Sequence, residues 1–448
     1  MFRLFQPVDI ASLVFFRIAF GVLGFADVLA TWLYYDLHEG DYDLERFRFS
    51  YIGFEWVQPL PEPFLSVFFI ILMACAISIV IGWRYKLSAS LFALGFTYVF
   101  LLEKAHYLNH GYLFCWISFV MIVLPADRYC ALDARRKPEL RARTAPFWSI
   151  GILMFLMSVV YIYGGIAKIN SDWLRGVPLV SWLSQKGDIP IVGTILTKPS
   201  TAYIMAYGGM AFDLCAPFLL LCSRTRIYAF AIAIAFHLLN TIVFQIGIFP
   251  WLSLSLTALF FAPDFPRKLY RRLPKRLQII RNSAASFRSD YWQFGTRHRT
   301  WIMGGLLLIG SIHLLIPLRH HLYKGDVAWT EEGHRYSWRM MLRSKQGYGR
   351  FIIKAVRTDS TLIIRPAERL GRRQTRKLYT HPDMIWQFAQ HLKKEYEAKG
   401  QSVQVFADIQ VKLNDRDYQA MVDPAVDLAA VQWEHFRTAS WIVPLKEK

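Results

Sequence analysis

Ionisable and polar side chains lie at the ends of several long apolar runs, where they could carry out proton chemistry. The run EKAHYLNHGY at 103–112 contains Asn109 and His110 directly before an apolar stretch. The run YIYGGIAKIN at 161–170 ends a second apolar stretch with Lys168. A lysine held in an apolar pocket has its charged form disfavoured, so that the free amine becomes available as a base. The structural alternatives are an interfacial loop with aromatic anchors for the first run and a lysine extending to the headgroups for the second.

Small and polar residues accompany Lys168. Gly164 and Gly165 precede it by about one helical turn and allow a second helix or a flat ligand to approach the backbone. Asp172 follows and is a candidate counter-ion of Lys168. Polar residues inside the apolar runs are expected to face the interior of a bundle, because they are costly in lipid. They are Arg17, Asp27, Asp213, His237, Asn240 and Gln245. Asp213 and His237 are predicted to pair with each other across two helices.

A third polar group follows the last apolar run. The segment 328–343, AWTEEGHRYSWRMMLR, places a glycine between two glutamates and a histidine, followed by Tyr336 and Trp338. It is predicted to lie over the outer face of a membrane, and its structural alternative is an aromatic interfacial segment. No metal site is predicted. His106 and His110 have ligand-like spacing, but no carboxylate or cysteine accompanies them at matching spacing.

The composition indicates what must position these residues. Of the 448 residues, 54% are hydrophobic and only 19% are charged, which excludes a disordered chain and argues against a wholly soluble enzyme. The formal charge of +19 does not indicate nucleic acid binding, because the basic residues cluster beside the apolar runs. Nine runs have the length of a membrane span, and the first lacks a clean cleavage site and is interpreted as a retained span. The runs are 9–33, 65–83, 87–104, 110–126, 147–168, 201–222, 226–243, 245–263 and 301–318.

Lysine and arginine positions predict the orientation. With the N-terminus in the cytoplasm, 21 basic residues lie in inner segments and six in outer loops. Nine spans then place the tail outside, so the predicted domains are a membrane domain at 1–318 and a periplasmic or lumenal domain at 319–448. In the tail, β-branched residues predict strands at 351–357, 361–365 and 403–413, and an apolar face predicts a helix at 382–399. All five cysteines lie in or beside the spans, so no disulfide is expected in the tail. The predicted fold is an integral membrane α-helical bundle of about nine spans followed by a β-rich extracytoplasmic α+β domain.

Four blocks of residues follow one another along the chain. They are NHGYL at 109–113, YGGIAK at 163–168 with DWL at 172–174, WT through YSWRMM at 329–341, and the late run with NDR at 414–416, VDP at 422–424, VD at 426–427, SW at 440–441 and PL at 444–445. In this order the blocks resemble the vitamin K-dependent γ-glutamyl carboxylase family, whose membrane part is also called the horizontally transferred transmembrane domain. Any one block is weak, but four in order are specific and span nearly the whole chain. The animal members of the family extend further, so the resemblance does not imply propeptide recognition of the animal type.

The resemblance implies a cofactor, a reaction and partners. Reduced vitamin K, a hydroquinone, is deprotonated and reacts with dioxygen, and the strong base that results removes the γ-proton of a protein glutamate. Carbon dioxide then adds to give γ-carboxyglutamate, vitamin K leaves as its epoxide, and no metal is required. The expected partners are membrane lipid and a glutamate-containing secreted or membrane protein, in the cytoplasmic membrane of a bacterium or the endoplasmic reticulum of a eukaryote.

The resemblance also carries over individual residues. Lys168 is implied as the base that deprotonates the hydroquinone. The catalytic candidates are Lys168, His110, Asn109 and Tyr336, and the cofactor-binding candidates are Tyr163, Gly164, Gly165 and Trp173. Two alternatives stay open at this point: a membrane quinol oxidase or epoxidase without a glutamate substrate, and a non-catalytic membrane receptor or transporter.

Overall fold

The computed structural model describes residues 2–36, 42–43, 46–244, 246–274, 295–357 and 360–446. Its helices are α1 Ala11–Thr31, α2 Phe64–Ile81, α3 Tyr85–Leu102, α4 Asn109–Val123, α5 Leu132–Arg136, α6 Trp148–Ala167, α7 Ser171–Leu174, α8 Val177–Leu183, α9 Gly193–Leu196, α10 Pro199–Leu221, α11 Arg226–Phe244, α12 Phe249–Thr257, α13 Phe265–Arg272, α14 Thr296–Leu315, α15 Val327–Thr330, α16 Arg372–Thr380 and α17 Pro382–Ala398. Its strands are β1 Pro7–Asp9, β2 Thr144–Pro146, β3 Lys345–Ala355, β4 Thr361–Ile364, β5 Val403–Leu413 and β6 Gln419–Ala420.

Seven of the described helices are long and apolar enough to cross a membrane, namely α1, α2, α3, α6, α10, α11 and α14. The helix α4 has 15 residues, and α12 continues as a short 3₁₀ turn to Phe260, so both are shorter than a span usually needs. The nine predicted spans are therefore not confirmed as such.

One end of the bundle gathers the N-terminal segment and the segments that follow α2, α4 and α12. Strand β1 pairs with β2 here. The buried Arg17 side chain donates to the carbonyl of Val80 at the end of α2 (3.2 Å) and to that of Cys130 beyond α4 (2.6 Å). Asp9 accepts hydrogen bonds from Arg267 of α13 at 3.0 Å. Arg17 thus satisfies carbonyl groups that a helix end leaves unpaired, which explains a charge inside the bundle.

The opposite end of the bundle carries the C-terminal domain. Phe49, which follows α1, belongs to the apolar core of that domain. Glu103, which follows α3, accepts a hydrogen bond from Gln374 of α16 at 2.8 Å. Since α4 begins at this end, beside Glu103, and reaches the Arg17 end, it runs between the same two ends as the long helices.

The C-terminal domain is a four-stranded antiparallel sheet in the order β4-β3-β5-β6, with α16 and α17 packed against it. Alternate residues of β5 are buried, which is the pattern of a strand with one covered face. The predicted strands at 361–365 and 403–413 and the predicted helix at 382–399 are confirmed. Strand β3 begins at Lys345, six residues before its predicted start, because Gly347 and Gly349 break the apolar alternation. A Cβ at Gly349 would lie 2.3 Å from the carbonyl oxygen of Asp408 on β5, so only glycine fits there.

A segment of the C-terminal domain enters the membrane part, and we call its residues 331–341 the wedge. Trp338 is fully buried in the core of the bundle, where its ring lies 5.6 Å from Tyr112 and 6.2 Å from His313, between centroids. Three wedge residues after Gly333 have left-handed backbones, Tyr336, Trp338 and Met341, with φ of 66°, 57° and 50°. Each such conformation costs about 1–3 kcal/mol and persists only where packing imposes it. The buried Trp338 supplies such packing.

Candidate functional site

Lys168 caps the C-terminal end of α6, and its amine is buried. The Nζ atom lies 2.5 Å from Oδ2 of Asp213 on α10 and donates to the carbonyl oxygen of Gly164 at 3.1 Å. The centroid of the Trp173 ring lies 5.5 Å from the same nitrogen. A carboxylate, a carbonyl oxygen and an aromatic face each stabilise a positive charge. All three contacts therefore suit an ammonium group on Lys168.

An apolar cavity lies beside this pair, with about 710 Å³ of empty space that includes its opening to the surroundings. Its walls come from α6, α7, α8, α10, α11, α12 and the wedge, and most of the lining side chains are aromatic or aliphatic, including Trp173 and Phe249. The ionisable and amide side chains that line it are Tyr161, Lys168, Asp213, His237 and Asn240. A mainly apolar cavity with a few convergent polar groups is the usual form of a small-molecule site. Gln245, also predicted to face the interior, lies outside the described residues.

His237 reaches the cavity from α11 and does not pair with Asp213 as predicted. Its Nε2 lies 3.2 Å from the hydroxyl of Tyr161, which in turn lies 3.0 Å from Oγ1 of Thr257. Its Nδ1 is buried and has no hydrogen-bond partner within the described ranges. The predicted pair is wrong because Lys168 binds Asp213. The unpaired nitrogen is available to a ligand.

The prediction that Asp172 is the counter-ion of Lys168 is also wrong, because Asp172 binds residues of the C-terminal domain and Arg175 instead. Its carboxylate accepts hydrogen bonds at 2.6 Å from Asn414 Nδ2, Arg416 Nη1 and Arg175 Nη2. Burial raises the pKa of Asp172, but the hydrogen bonds from Arg416, Asn414 and Arg175 outweigh that effect and lower it to about 2. The turn after β5 is thereby tied to the segment that follows Lys168.

Asn109 and Tyr336 are brought together by a tyrosine that the sequence did not single out. The hydroxyl of Tyr107 donates to Oδ1 of Asn109 at 2.8 Å and accepts the backbone N–H of Tyr336 at 2.6 Å. The rings of Tyr107 and Tyr336 meet edge to face, with centroids 5.4 Å apart. Tyr107 therefore fixes the position of the wedge relative to the start of α4.

His110 lies behind one wall of the apolar cavity. Its ring stacks on Phe249 with centroids 5.7 Å apart, and Phe249 packs edge-on against His237 at 6.1 Å. Phe249 lines the cavity. The structure thus places His110 one aromatic ring away from the space that Lys168 faces, and its predicted catalytic role stays a prediction.

The other cofactor-binding candidates take part in helix contacts. Tyr163 donates its hydroxyl to the carbonyl of Leu314 on α14 at 2.6 Å. Gly165 lets α10 pass closely, since a Cβ there would lie 2.7 Å from Cγ of Leu214. Gly164 lies beside Asp213 and supplies the carbonyl that Lys168 binds. Of the four candidates, Trp173 is the one whose side chain lines the apolar cavity.

The wedge also borders a second, polar cavity, with about 940 Å³ of empty space that includes its opening. Tyr336 lines this cavity, whereas Met340 and Met341 line the apolar one. The two spaces are therefore bordered by the same short segment. Lys104 of the α3–α4 connection contributes a buried cation to the polar cavity. Burial lowers the pKa of its amine to about 8, although Asp383 lies 2.7 Å away.

The acidic groups of the polar cavity differ in their partners. Asp383 accepts from both Lys104 and Arg335 at 2.7 Å. Glu332 accepts the N–H of Ala439 at 3.0 Å through Oε1, while its buried Oε2 has no partner among the described residues. Burial raises the pKa of Glu332 to about 7. Its carboxyl group can therefore exchange a proton near neutral pH.

Three buried side chains of the described chain have the donor types of a metal site. Ligand atoms of Glu331, His334 and His381 lie within 4.8 Å of one another. However, the carboxylate of Glu331 already accepts hydrogen bonds from Arg343 Nε at 2.7 Å and Lys345 Nζ at 3.2 Å. A divalent cation would face these two positive charges at close range. The cluster is better described as a buried ion-pair network.

The two parts of the chain match two protein families. Residues 5–265 match the HTTM domain, and residues 298–448 match the lumenal domain of vitamin K-dependent gamma-carboxylase. No solved structure matches the chain. The first match covers more than half of the chain, and the second begins near the start of α14 and continues through the wedge and the sheet. The chain therefore belongs to the vitamin K-dependent gamma-carboxylase family.

Proposed function

We propose that this chain is a membrane peptidyl-glutamate carboxylase, which converts protein glutamate to γ-carboxyglutamate and oxidises vitamin K hydroquinone to the epoxide. The observation that carries the proposal is the Lys168–Asp213 pair, buried at 2.5 Å beside a mainly apolar cavity within the membrane part. Family membership supports the reaction class, and the pair supplies a proton-transfer group where an apolar ligand can reach it.

The residues of the apolar cavity fit a hydroquinone. A flat aromatic ring can pack against Trp173 and Phe249, while Lys168 and the unpaired Nδ1 of His237 can bind its oxygens. When bound, reduced vitamin K would react with dioxygen and so supply a base stronger than any side chain. The protein's own contribution is to hold the ring, accept a proton at the Lys168–Asp213 pair, and keep water out.

The polar cavity is our proposed site for the glutamate side chain of the protein substrate. The cations of Lys104 and Arg335 suit a carboxylate, and Tyr336 of the wedge lines the same cavity. Asp383 offsets part of this positive charge. The wedge would then bring the γ-carbon of the glutamate close to the space that Lys168 faces.

We also propose nine crossings with the C-terminal domain on the periplasmic or lumenal side. The helices α4 and α12 run between the same two ends of the bundle as the seven long helices. Among the described connections between the helices of the membrane part, those at the Arg17 end carry most of the basic residues, as expected of a cytoplasmic face. Substrates that are secreted or membrane-bound would meet the C-terminal domain on the opposite side.

The test is incorporation of labelled carbon dioxide into a glutamate-containing peptide by detergent-purified protein given reduced vitamin K, with epoxide measured in the same tube. We expect both products in the wild type and neither in Lys168→Ala. The matched control is Lys198→Ala, because Lys198 is exposed at the start of α10, away from both cavities. Epoxide without label would favour a quinol epoxidase, and the absence of both products in folded wild-type protein would contradict the proposal.

A further inference from the structure

We propose that Asp213 is the final proton acceptor of this site, and that Lys168 relays the proton while its amine stays charged. The inference rests on the proposed function, because it concerns the same cavity. It differs from the expectation drawn from the sequence, in which Lys168 acts alone as a free amine. The difference comes from the carboxylate of Asp213, which lies 2.5 Å from Nζ.

The contacts of Lys168 suit an amine that already carries its proton. An ammonium group has three N–H donors and no lone pair. Two of its donors are directed at Asp213 Oδ2 and the carbonyl oxygen of Gly164, and the ring of Trp173 lies against the nitrogen. The third donor remains for a ligand oxygen in the cavity. A nitrogen in this state cannot take up a further proton.

A relay resolves this difficulty with atoms and charges in balance. Lys168 Nζ gives one proton to Asp213 Oδ2 and takes one from a phenolic hydroxyl held against it. One O–H bond breaks at that hydroxyl, one O–H bond forms on Asp213, Nζ keeps three N–H bonds, and no electrons change hands. The ammonium then lies beside the negative charge left on the ligand oxygen.

The electrostatics of the cavity favour this order of events. The Lys168–Asp213 pair is neutral as a unit before the transfer and carries one positive charge afterwards, which compensates the ligand oxygen within the same apolar space. The other titratable side chains that line the cavity are Tyr161 and His237, and Nε2 of His237 lies at hydrogen-bond distance from the Tyr161 hydroxyl. Neither group has a hydrogen bond to the pair among the described contacts.

The first test measures the carboxyl group directly and needs no turnover. Infrared difference spectra are recorded without oxygen, before and after addition of reduced menadione as the probe. We expect a carboxylic acid C=O band that appears with the probe, shifts in deuterated water, and is absent from Asp213→Asn. A carboxylate that stays ionised with the probe bound would overturn the inference. A band already present without the probe would do so as well, because Lys168 would then be the free amine.

The second test separates the two acceptors by kinetics. If Lys168 acts alone, Asp213→Asn removes the charge that holds its proton, so the epoxidation rate should persist and its pH optimum should move lower. If Asp213 is the acceptor, kcat should fall roughly 100-fold or more at every pH from about 6 to 9, while menadione binding changes little. Asp213→Glu keeps the carboxylate and should recover part of the rate.

Controls distinguish a failure of the Asp213 inference from a folding defect and from a failure of the proposed function. Asp264→Asn is the matched substitution, since Asp264 lies at the Arg17 end of the bundle and forms an exposed pair with Lys268. Gel filtration and thermal unfolding in detergent show whether each variant folds. Wild-type protein that makes neither epoxide nor labelled peptide contradicts the proposed function, whereas the infrared band tests Asp213 whether or not turnover occurs.

Discussion

The tie between Asp172 and Arg416 allows the docking of the C-terminal domain to be measured. Arg416 donates to both carboxylate oxygens of Asp172, at 2.6 and 3.1 Å, and the two side chains are 16% and 9% exposed. Hydrogen bonds to charged groups contribute about 1.5–3 kcal/mol each, and breaking a buried ion pair costs about 3–5 kcal/mol. Asn414 and Arg175 also bind Asp172 and reduce the docking free energy that is lost when Arg416 is replaced. We therefore expect Arg416→Met to weaken docking by about 3 kcal/mol, a factor of about 150 in the equilibrium.

The assay is hydrogen exchange of the backbone amides in β5 and β6, measured in detergent for four proteins. They are the wild type, Asp172→Asn, Arg416→Met and the double variant. Because the two side chains share their bonds, the double variant should lose less than the sum of the single losses, with a coupling energy of about 1–3 kcal/mol. The matched control is Arg350→Met, which removes a 3.4 Å pair with Asp408 whose side chains are 50% and 38% exposed. That change should cost less than about 1 kcal/mol.

If the double variant loses as much docking free energy as the two single variants together, within about 0.5 kcal/mol, the direct coupling of the two side chains is refuted. A loss from Arg416→Met no larger than that from Arg350→Met would refute the claim that Asp172 anchors the domain. A loss confined to the exchange of β6, with β5 unchanged, would show that the tie orders only its own turn.

Three further outcomes follow from the site. Glu332 has a pKa raised to about 7 from its usual 4.5, so its contribution to stability is complete below about pH 4.5 and is lost as the pH rises through 7. The melting temperature should fall between about pH 5 and pH 8, Glu332→Gln should flatten that fall, and parallel curves would contradict the assignment. Tyr107→Phe removes the hydroxyl that links Asn109 to the N–H of Tyr336 through two hydrogen bonds, so at about 1 kcal/mol for each bond kcat/KM for the peptide should fall roughly 30-fold, while menadione binding stays the same. Dialysis against a chelator should leave carboxylation unchanged, because Arg343 and Lys345 neutralise Glu331, and a loss restored by added metal would revive the metal site.

The parts of the fold that the sequence predicted are those governed by local patterns. Apolar length marks a span, and alternation along 403–413 marks a strand with one buried face. The start of β3 was missed because Gly347 and Gly349 carry no alternation signal. A glycine is needed at position 349 because the backbone of the neighbouring strand leaves no room for a side chain there. Such a constraint appears only when the two strands are paired.

The pairing of charges could not be predicted for a related reason. Asp172, which is close to Lys168 in the sequence, was the predicted counter-ion, whereas Asp213 was predicted to pair with His237. The helix ends at Lys168, and the chain then turns so that Asp172 meets the late NDR run at 414–416, more than 240 residues away. Asp213 is nearer in space because α10 packs tightly along α6 at Gly165. Tight helix packing at a glycine next to a lysine is the signal that could have pointed to α10.

The wedge makes the two parts of the chain one site. Met340 and Met341 belong to the C-terminal match at 298–448, yet they form part of the wall of a cavity whose ion pair lies in the match at 5–265. Trp338 is buried among bundle side chains, so the wedge cannot leave without exposing a large aromatic ring and opening that wall. In the proposed reaction, a base generated in the apolar cavity would have to be kept from water until a glutamate is present. A wall supplied by the domain that also lines the polar cavity would suit this requirement, because the same segment borders both the space beside Lys168 and the cavity proposed for the glutamate.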